Sequence, residues 1–494
     1  MPDIVTTLVP ASIGMAKPGR QLGASVTPAQ RRRLVAAALL IGDLVTLTIV
    51  AGILQLGAAV AASDTDTNMA SLILVWALAL CGALAGFSLY GSERAEPVDR
   101  LRRRTLGNLV AAAVVFAWLA VEQPTSHLWG FVVAGAGLIV VLGYYIEALI
   151  RGALLRRQLW TAPTVLYGTM PACLALARDL VSRPELGLRP IAILADEEGV
   201  VPPDAADAAD AAEFPVITPV QANIMSPRIE VALCASGDLH VEQADWLARL
   251  PLRQIFVVHD ASTLQVLNPQ LRAMGGLLGL ELRSAIHMPR NLRLKRVLDL
   301  VVAIPIAVLA LPVVAVLALA VKMVDNGPAF YAQPRVGRNG HIFNVYKLRS
   351  MYADAEARLA AHLAADTAAR QEWERFFKLS NDPRILPGIG QFIRRSSLDE
   401  LPQLWNVLRG DMSIVGPRPF PAYHNQCFDT AFQALRTSVP PGLTGLWQVT
   451  DRSDGDLAVQ KRQDSFYIHN WSFWLDFYVL LQTLPAVLHG RGAK

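Results

Sequence analysis

Five long apolar runs mark the chain, at 34–60, 69–90, 106–121, 128–150 and 297–321. A helix needs roughly 20 mainly apolar residues to cross a ~30 Å hydrocarbon layer. The runs 34–60, 69–90 and 128–150 meet that length and 106–121 is marginal, so the pattern predicts four transmembrane helices over 34–150. Over 160–285 it changes to short β-branched runs separated by helical stretches: TVLYG at 164, PIAIL at 190, FPVI at 214, EVALC at 230 and QIFVVHD at 254. This alternation predicts a doubly wound, Rossmann-like α/β domain with a parallel sheet. The turn Gly168-Thr169-Met170-Pro171-Ala172 lacks the GxGxxG fingerprint. It has proline where glycine would let the backbone approach a pyrophosphate, so a regulatory or dimerising module is preferred to a dinucleotide site. The Ala/Asp stretch 203–213 reads as a solvated loop or short acidic helix.

Charge then orients the helices. Arg31 to Arg33 precede the first run, Arg94, Arg100 and Arg102 to Arg104 lie between the second and third, and Arg151, Arg156 and Arg157 follow the fourth. The loops 61–68 and 122–127 have no Lys or Arg, which places both ends of the bundle in the cytoplasm. Residues 1–33 read as a cytoplasmic tail rather than a cleaved leader. The fifth run differs because both flanks are basic: Arg290, Arg293, Lys295 and Arg296 before it, Lys322, Arg335, Arg338 and Lys347 after it. A segment over 291–323 that enters, breaks at Pro312 (or at Pro305) and returns keeps both flanks inside. The competing reading is a fifth span with a proline kink.

Composition agrees with a membrane protein that has large aqueous parts, since 53% of residues are hydrophobic and 17% charged. The net charge of +4 is small for a nucleic-acid partner, and the cations cluster beside apolar runs where anionic membrane lipids explain them. Cys81, Cys173, Cys234 and Cys427 are far apart with no CxxC, which argues against a disulfide framework or a zinc site and for a reducing compartment.

Candidate chemistry lies in 324–494. Cations recur around one adjacent carboxylate pair, Asp399-Glu400, just before an apolar helix with Pro402 in its first turn. A helix N-terminus and nearby Arg394 and Arg395 favour an ionised Asp399, which could attack phosphorus, while Glu400 could hold Mg²⁺. On spacing alone a capping box, Ser397-x-x-Glu400, with no catalytic role is the preferred reading. Arg335, Arg338, Lys347, Arg349 and Arg394 fit either phosphate binding or lipid headgroups, with headgroups preferred for Arg338. Pro417-Arg418-Pro419 is a rigid turn with its arginine fixed between prolines.

From Lys295 to Lys494 the chain resembles the bacterial sugar transferase domain of long-form monotopic polyprenyl-phosphate phosphoglycosyl transferases. QPRVGRNG, FNVYKLRSM, SLDELPQLWNVLRGDMSIVGPRP, PPGLTGLWQV and QDSFYIHNWSFWLDFYVLL match in order, and the helical insert at 354–379 followed by NDPRI is similar to that of the undecaprenyl-phosphate galactose phosphotransferases. The resemblance implies a C-terminal re-entrant helix plus an α-rich α/β catalytic domain at the inner-membrane surface. It makes Asp399 the nucleophile, Glu400 the Mg²⁺ ligand, Pro312 the kink (with Leu311 where a serine is common) and Pro417 to Pro419 a uridine contact. Lys347, Arg349 and Arg394 would hold phosphates, Arg335 is a further substrate contact, and Asp464 is a polar candidate in the C-terminal motif. The expected reaction moves hexose 1-phosphate, galactose first and glucose second, from a UDP-sugar to undecaprenyl phosphate, releasing UMP through an aspartyl intermediate. This would be the first membrane step of exopolysaccharide, capsule or O-antigen synthesis. A Mg²⁺-dependent nucleotide-sugar phosphohydrolase and a non-catalytic membrane scaffold are the alternatives. The α/β module is compatible with a homodimer.

Overall fold

A computed structural model describes residues 27–60, 69–91, 97–122, 126–182, 186–194, 214–218, 222, 229–234, 254–257, 268–274, 277–283, 285–366, 370, 379, 382–450 and 457–488. The acidic stretch 203–213 and most of the insert beyond 366 lie outside the described residues. The chain forms two compact units, Met1–Ala261 and Ser262–Lys494.

The first unit opens with four helices, α1 (Pro28–Val60), α2 (Met69–Gly86), α3 (Pro97–Glu122) and α4 (Ser126–Arg156). α2, with 18 residues, is the shortest, whereas the marginal run 106–121 lies within the 26-residue α3. The difference arises because Arg100 and Arg104, expected in a loop, lie in the first two turns of α3 and turn inward. Arg100 pairs with Glu147 of α4, and Arg104 bridges Glu147 and Asp43 of α1, all buried. Ionic groups inside a bundle are tolerated when paired in this way. Gly143 makes room for Arg104, since a Cβ there would lie 2.7 Å from Nη2. Away from this layer the helices pack through Leu47, Trp76, Leu84, Val115 and Ile139.

Five parallel strands follow: β1 (Ala162–Tyr167), β2 (Leu188–Leu194), β3 (Val216–Ile217), β4 (Val231–Cys234) and β5 (Gln254–Val257). Their order, β3-β2-β1-β4-β5, is that of a doubly wound sheet, and every expected run contributes one strand. Buried parallel strands are continuous apolar runs, which is why β4 is buried at all four positions. The turn after β1 uses Gly168 at φ 142° before α5 (Met170–Ser182), whose Cys173, Leu174 and Ala177 cover one sheet face. Arg31 at the start of α1 ties helix to sheet, donating to Glu230 Oε2 at 2.7 Å and to the Leu159 carbonyl at 3.0 Å.

The second unit begins with the antiparallel pair β6 (Asn268–Met274) and β7 (Leu277–Arg283), followed by α6 (Pro289–Val324). α6 is one 36-residue helix with Pro305 and Pro312 inside it. The expected helix–break–helix is therefore corrected: helical backbone runs through both prolines, each of which removes one N–H without ending the helix. Both ends of α6 are held by the domain that follows. At the first end, Lys295 Nζ lies 2.7 Å from Asp476, and Asp299 accepts from Ser413 Oγ at 2.8 Å and from Ile414 N–H at 3.0 Å. At the other end Leu317 and Val321 pack with Leu348, Leu386 and Ile393. Between them Ile304, Val308, Leu309, Leu311 and Val316 are exposed and apolar.

The domain itself contains the hairpin β8 (Phe330–Val336) and β9 (Ile342–Leu348), then α7 (Ala355–Ala365), α8 (Ile389–Arg395), a 3₁₀ turn at Leu398–Glu400 and α9 (Gln403–Arg409). β10 (Ser413–Val415), α10 (Ala422–Asn425), α11 (Thr430–Thr437), β11 (Gly442–Thr444), α12 (Leu446–Thr450), α13 (Leu457–His469) and α14 (Phe473–Leu488) complete it.

Candidate active site

The carboxylate pair sits where the chain turns sharply between α8 and α9. Ser397 adopts a left-handed conformation, φ 56° and ψ 20°, which turns the chain into the 3₁₀ turn of Asp399 and Glu400. α9 starts only at Gln403, with Pro402 as its N-cap rather than in its first turn. The capping box does not form. Ser397 makes no side-chain cap bond, and the Glu400 N–H donates instead to the Ser397 carbonyl at 3.2 Å. The Glu400 carboxylate is turned toward cations.

Lys347, near the end of β9, donates to Glu400 Oε1 at 2.9 Å and to Asp399 Oδ2 at 3.5 Å. Arg418 Nη2 reaches the same Glu400 oxygen at 2.9 Å. Asn406, fully buried on α9, fixes this register: its Oδ1 accepts from the Tyr346 N–H at 3.2 Å and its Nδ2 donates to the Asn344 carbonyl at 2.7 Å. Burial pushes the Asp399 carboxyl above its ordinary range, Lys347 pulls it back, and Glu400 pushes it up again. Among the side-chain cations Lys347 chiefly favours the charged form, with Arg394 adding a smaller effect.

Pro417-Arg418-Pro419 follows β10, which pairs in parallel with β11. Glycine is required at 416, since a Cβ there would stand 2.8 Å from the Pro440 carbonyl. Arg335 on β8 extends toward this turn, its Nη1 lying 3.5 Å from the Pro419 carbonyl. Burial first and the like charge of Arg418 second depress the Arg335 pKa, with Glu400 among the groups that raise it again. Cations gathered beside a carboxylate pair suit a polyanionic ligand.

The structure therefore brings together Asp399, Glu400, Lys347, Arg418, Arg335 and Arg394, with Pro417 and Pro419 framing Arg418. Two expected residues lie elsewhere. Arg349 is buried against the end of α6, donating to the Asp325 carboxylate at 2.5 Å and to the Asp325 carbonyl at 2.8 Å. Asp464 is buried on α13 and accepts from Arg436 Nε at 2.9 Å. Pro312 lies mid-helix on the exposed stretch of α6, and Arg338 is exposed in the hairpin turn.

Arg436 and Asn406 were missed in the sequence. Arg436 stacks 3.8 Å over the Phe420 ring and donates to the Arg418 carbonyl, so Asp464 and Arg436 together hold the backbone of the Pro-Arg-Pro turn. No motif signals Arg436, which lies in an ordinary amphipathic helix.

Among the described residues no group of three or more His, Cys, Asp or Glu side chains forms a metal cage. Mg²⁺ asks for less: one or two carboxylates, with water and substrate phosphates completing its shell. Asp399 and Glu400, each with 17% of the side chain accessible, fit that donor set.

The profile of the family described as bacterial sugar transferase matches residues 290–490. The chain is 46% identical over 202 residues to an undecaprenyl-phosphate galactose phosphotransferase of Salmonella typhimurium, covering 40% of this chain and 41% of that protein. It is 46% identical over 204 residues to a UDP-galactose-lipid carrier transferase of Erwinia amylovora, again 40% and 41%. These alignments span less than half the length of either relative. The exopolysaccharide production protein ExoY of Sinorhizobium fredii is 40% identical over 200 residues, which are 40% of this chain and 87% of that relative. With the carboxylate pair, its cations and the Pro-Arg-Pro turn all inside the matched stretch, the chain belongs to the bacterial sugar transferase family.

Proposed function

We propose that this protein transfers hexose 1-phosphate from a UDP-sugar to undecaprenyl phosphate, releasing UMP. The observation that carries the reading is the Asp399–Glu400 pair gathered by Lys347 and Arg418 inside the family-matched unit. An Asp399 oxygen attacks the β-phosphorus, an aspartyl–phosphorus bond forms, and the bond to the UMP oxygen breaks. A lipid phosphate oxygen then attacks the same phosphorus and frees Asp399. Lys347 holds Asp399 charged and aligned, and Arg418, Arg335 and Arg394 offset the charge of the diphosphate. Glu400 would hold Mg²⁺, which when bound supplies charge neutralisation on the diphosphate.

The membrane arrangement follows from α6. Because one domain grips both its ends, we read α6 as lying along one leaflet with its exposed apolar middle in the hydrocarbon rather than crossing the bilayer. The basic flanks favour the cytoplasmic leaflet of the inner membrane. Galactose is the preferred hexose, in line with the names of two relatives, and glucose is second. The α/β module is assigned regulation or homodimerisation, and the product would enter exopolysaccharide, capsule or O-antigen synthesis.

Purified protein incubated with Mg²⁺ and a panel of UDP-sugars should release at most one equivalent of UMP per enzyme without lipid acceptor and release it continuously once undecaprenyl phosphate is added, with ping-pong kinetics. Asp399→Asn should lower the rate by at least about 10³-fold. Sequential kinetics, or continuous free hexose phosphate without acceptor, contradicts the reading.

A further inference from the structure

The three segments that bring charge to the site meet at one buried side chain. Lys347 lies on β9, Asp399 and Glu400 lie just before α9, and Arg418 lies beyond β10, the strand that follows α9. Asn406, on α9, is fully buried. Along a strand, the N–H of one residue and the carbonyl of the residue two before it point to the same edge. The Asn406 amide pairs with that edge of β9 as a neighbouring strand would. Its Oδ1 accepts from the Tyr346 N–H at 3.2 Å and its Nδ2 donates to the Asn344 carbonyl at 2.7 Å. The next residue of the strand is Lys347, whose Nζ lies 2.9 Å from Glu400 Oε1 and 3.5 Å from Asp399 Oδ2. Asn406 also shapes the exit from α9. Its Nδ2 lies 3.4 Å from Asp411 Oδ2, and its carbonyl accepts the Gly410 and Asp411 N–H groups at 3.1 and 3.0 Å, where the chain turns toward β10.

A carboxamide carries an acceptor and a donor on one planar fork. Aspartate has the same shape but would turn a second acceptor toward the Asn344 carbonyl, and an apolar residue would leave a buried N–H and a buried carbonyl unpaired. We propose that Asn406 is a positioning residue for the transfer: through its two bonds to β9 it sets Lys347 over the Asp399–Glu400 pair, without touching substrate. This inference rests on the reading of Asp399 as the nucleophile.

The test is a double-mutant cycle on the full chain in detergent, mixed with Mg²⁺ and whichever of UDP-galactose and UDP-glucose gives the larger burst, without lipid acceptor. The rate at which the first equivalent of UMP appears is read over a range of donor concentrations. Asn406→Asp should slow that burst about 10²-fold, the scale of a misplacement by about 1 Å, while the half-saturating donor concentration changes less than about threefold. Lys347→Met should slow the burst as well. The double variant should be no slower than Lys347→Met to within about twofold, because Asn406 acts through Lys347. A residue that only holds the fold together would instead slow the Lys347→Met protein by the same factor as the wild type. Such additivity, or a burst at the wild-type rate in either single variant, overturns the role of Asn406 alone. So does a loss confined to donor affinity. Asn406→Ser provides the same cycle if the aspartate variant does not fold. Wild-type protein that releases no UMP with either donor overturns the proposed function and this inference with it.

Discussion

Removing the Arg436 guanidinium would leave Asp464, 2% exposed, as an uncompensated carboxylate within the domain. Breaking one side of such a pair costs about 3–5 kcal/mol, because the remaining charge stays buried. Arg436→Met should therefore lower the unfolding free energy by about that much in chemical denaturation, and Arg436→Met with Asp464→Leu should recover most of it. A single variant as stable as wild type would show that the pair bears no load. The same pair explains why residue-scale reading of the sequence succeeds only in part. Asp399 and Glu400 stand out in the sequence through the ordered family motifs around them, since their spacing alone also fits a capping box. Lys347 and Arg349 look equivalent in Lys347-Leu348-Arg349, yet one faces Glu400 and the other closes the end of α6 on Asp325. Side-chain direction alternates along a strand, but the strand that would decide it ends at Leu348, so alternation cannot sort the two. Asp464 looks like a site residue because a motif contains it, and its partner, 28 positions earlier, leaves no local trace.

At the scale of elements, the parallel strands were legible because buried β-strands concentrate Val, Ile and Leu in short runs bounded by turns. α6 was legible in length but not in its interior. A proline removes one hydrogen bond, and whether the helix then breaks depends on what surrounds it, which a linear pattern does not carry. Cysteines placed at Arg290, in the first turn of α6, and at Arg338, beyond its far end, both exposed, test its membrane path. A membrane-impermeant maleimide should label both in inside-out vesicles and neither in right-side-out ones. Labelling of one in each preparation would mean that α6 crosses the bilayer. On α5 and β4, burial raises the Cys173 thiol to about 12 and the Cys234 thiol to about 11. Both stay protonated below those values, so near pH 8 their thiolate fraction is far smaller than that of an ordinary cysteine. Iodoacetamide at pH 8 should modify exposed Cys427 in the folded protein and reach Cys173 and Cys234 only after denaturation. Modification of all three at equal rates would contradict the packing of α5 on the sheet.

On the scale of the whole molecule, every residue assigned to the reaction lies in the second unit, and the first carries the four-helix bundle and the parallel sheet. ExoY of Sinorhizobium fredii aligns over 87% of its own length with 200 residues, 40% of this chain. The composition of the whole chain made the membrane legible, and the ordered motifs of 295–494 made the family legible. What stayed illegible is how buried pairs such as Asp464–Arg436 hold the Pro-Arg-Pro turn, since those pairs form between distant segments. The central claim is that Asp399 becomes covalently bonded to phosphorus. Rapid-quench mass spectrometry of the protein mixed with Mg²⁺ and its UDP-hexose, without lipid acceptor, should find a hexose-phosphate adduct on the peptide containing Asp399, absent in Asp399→Asn. Turnover to lipid product with no such adduct at any quench time would contradict it.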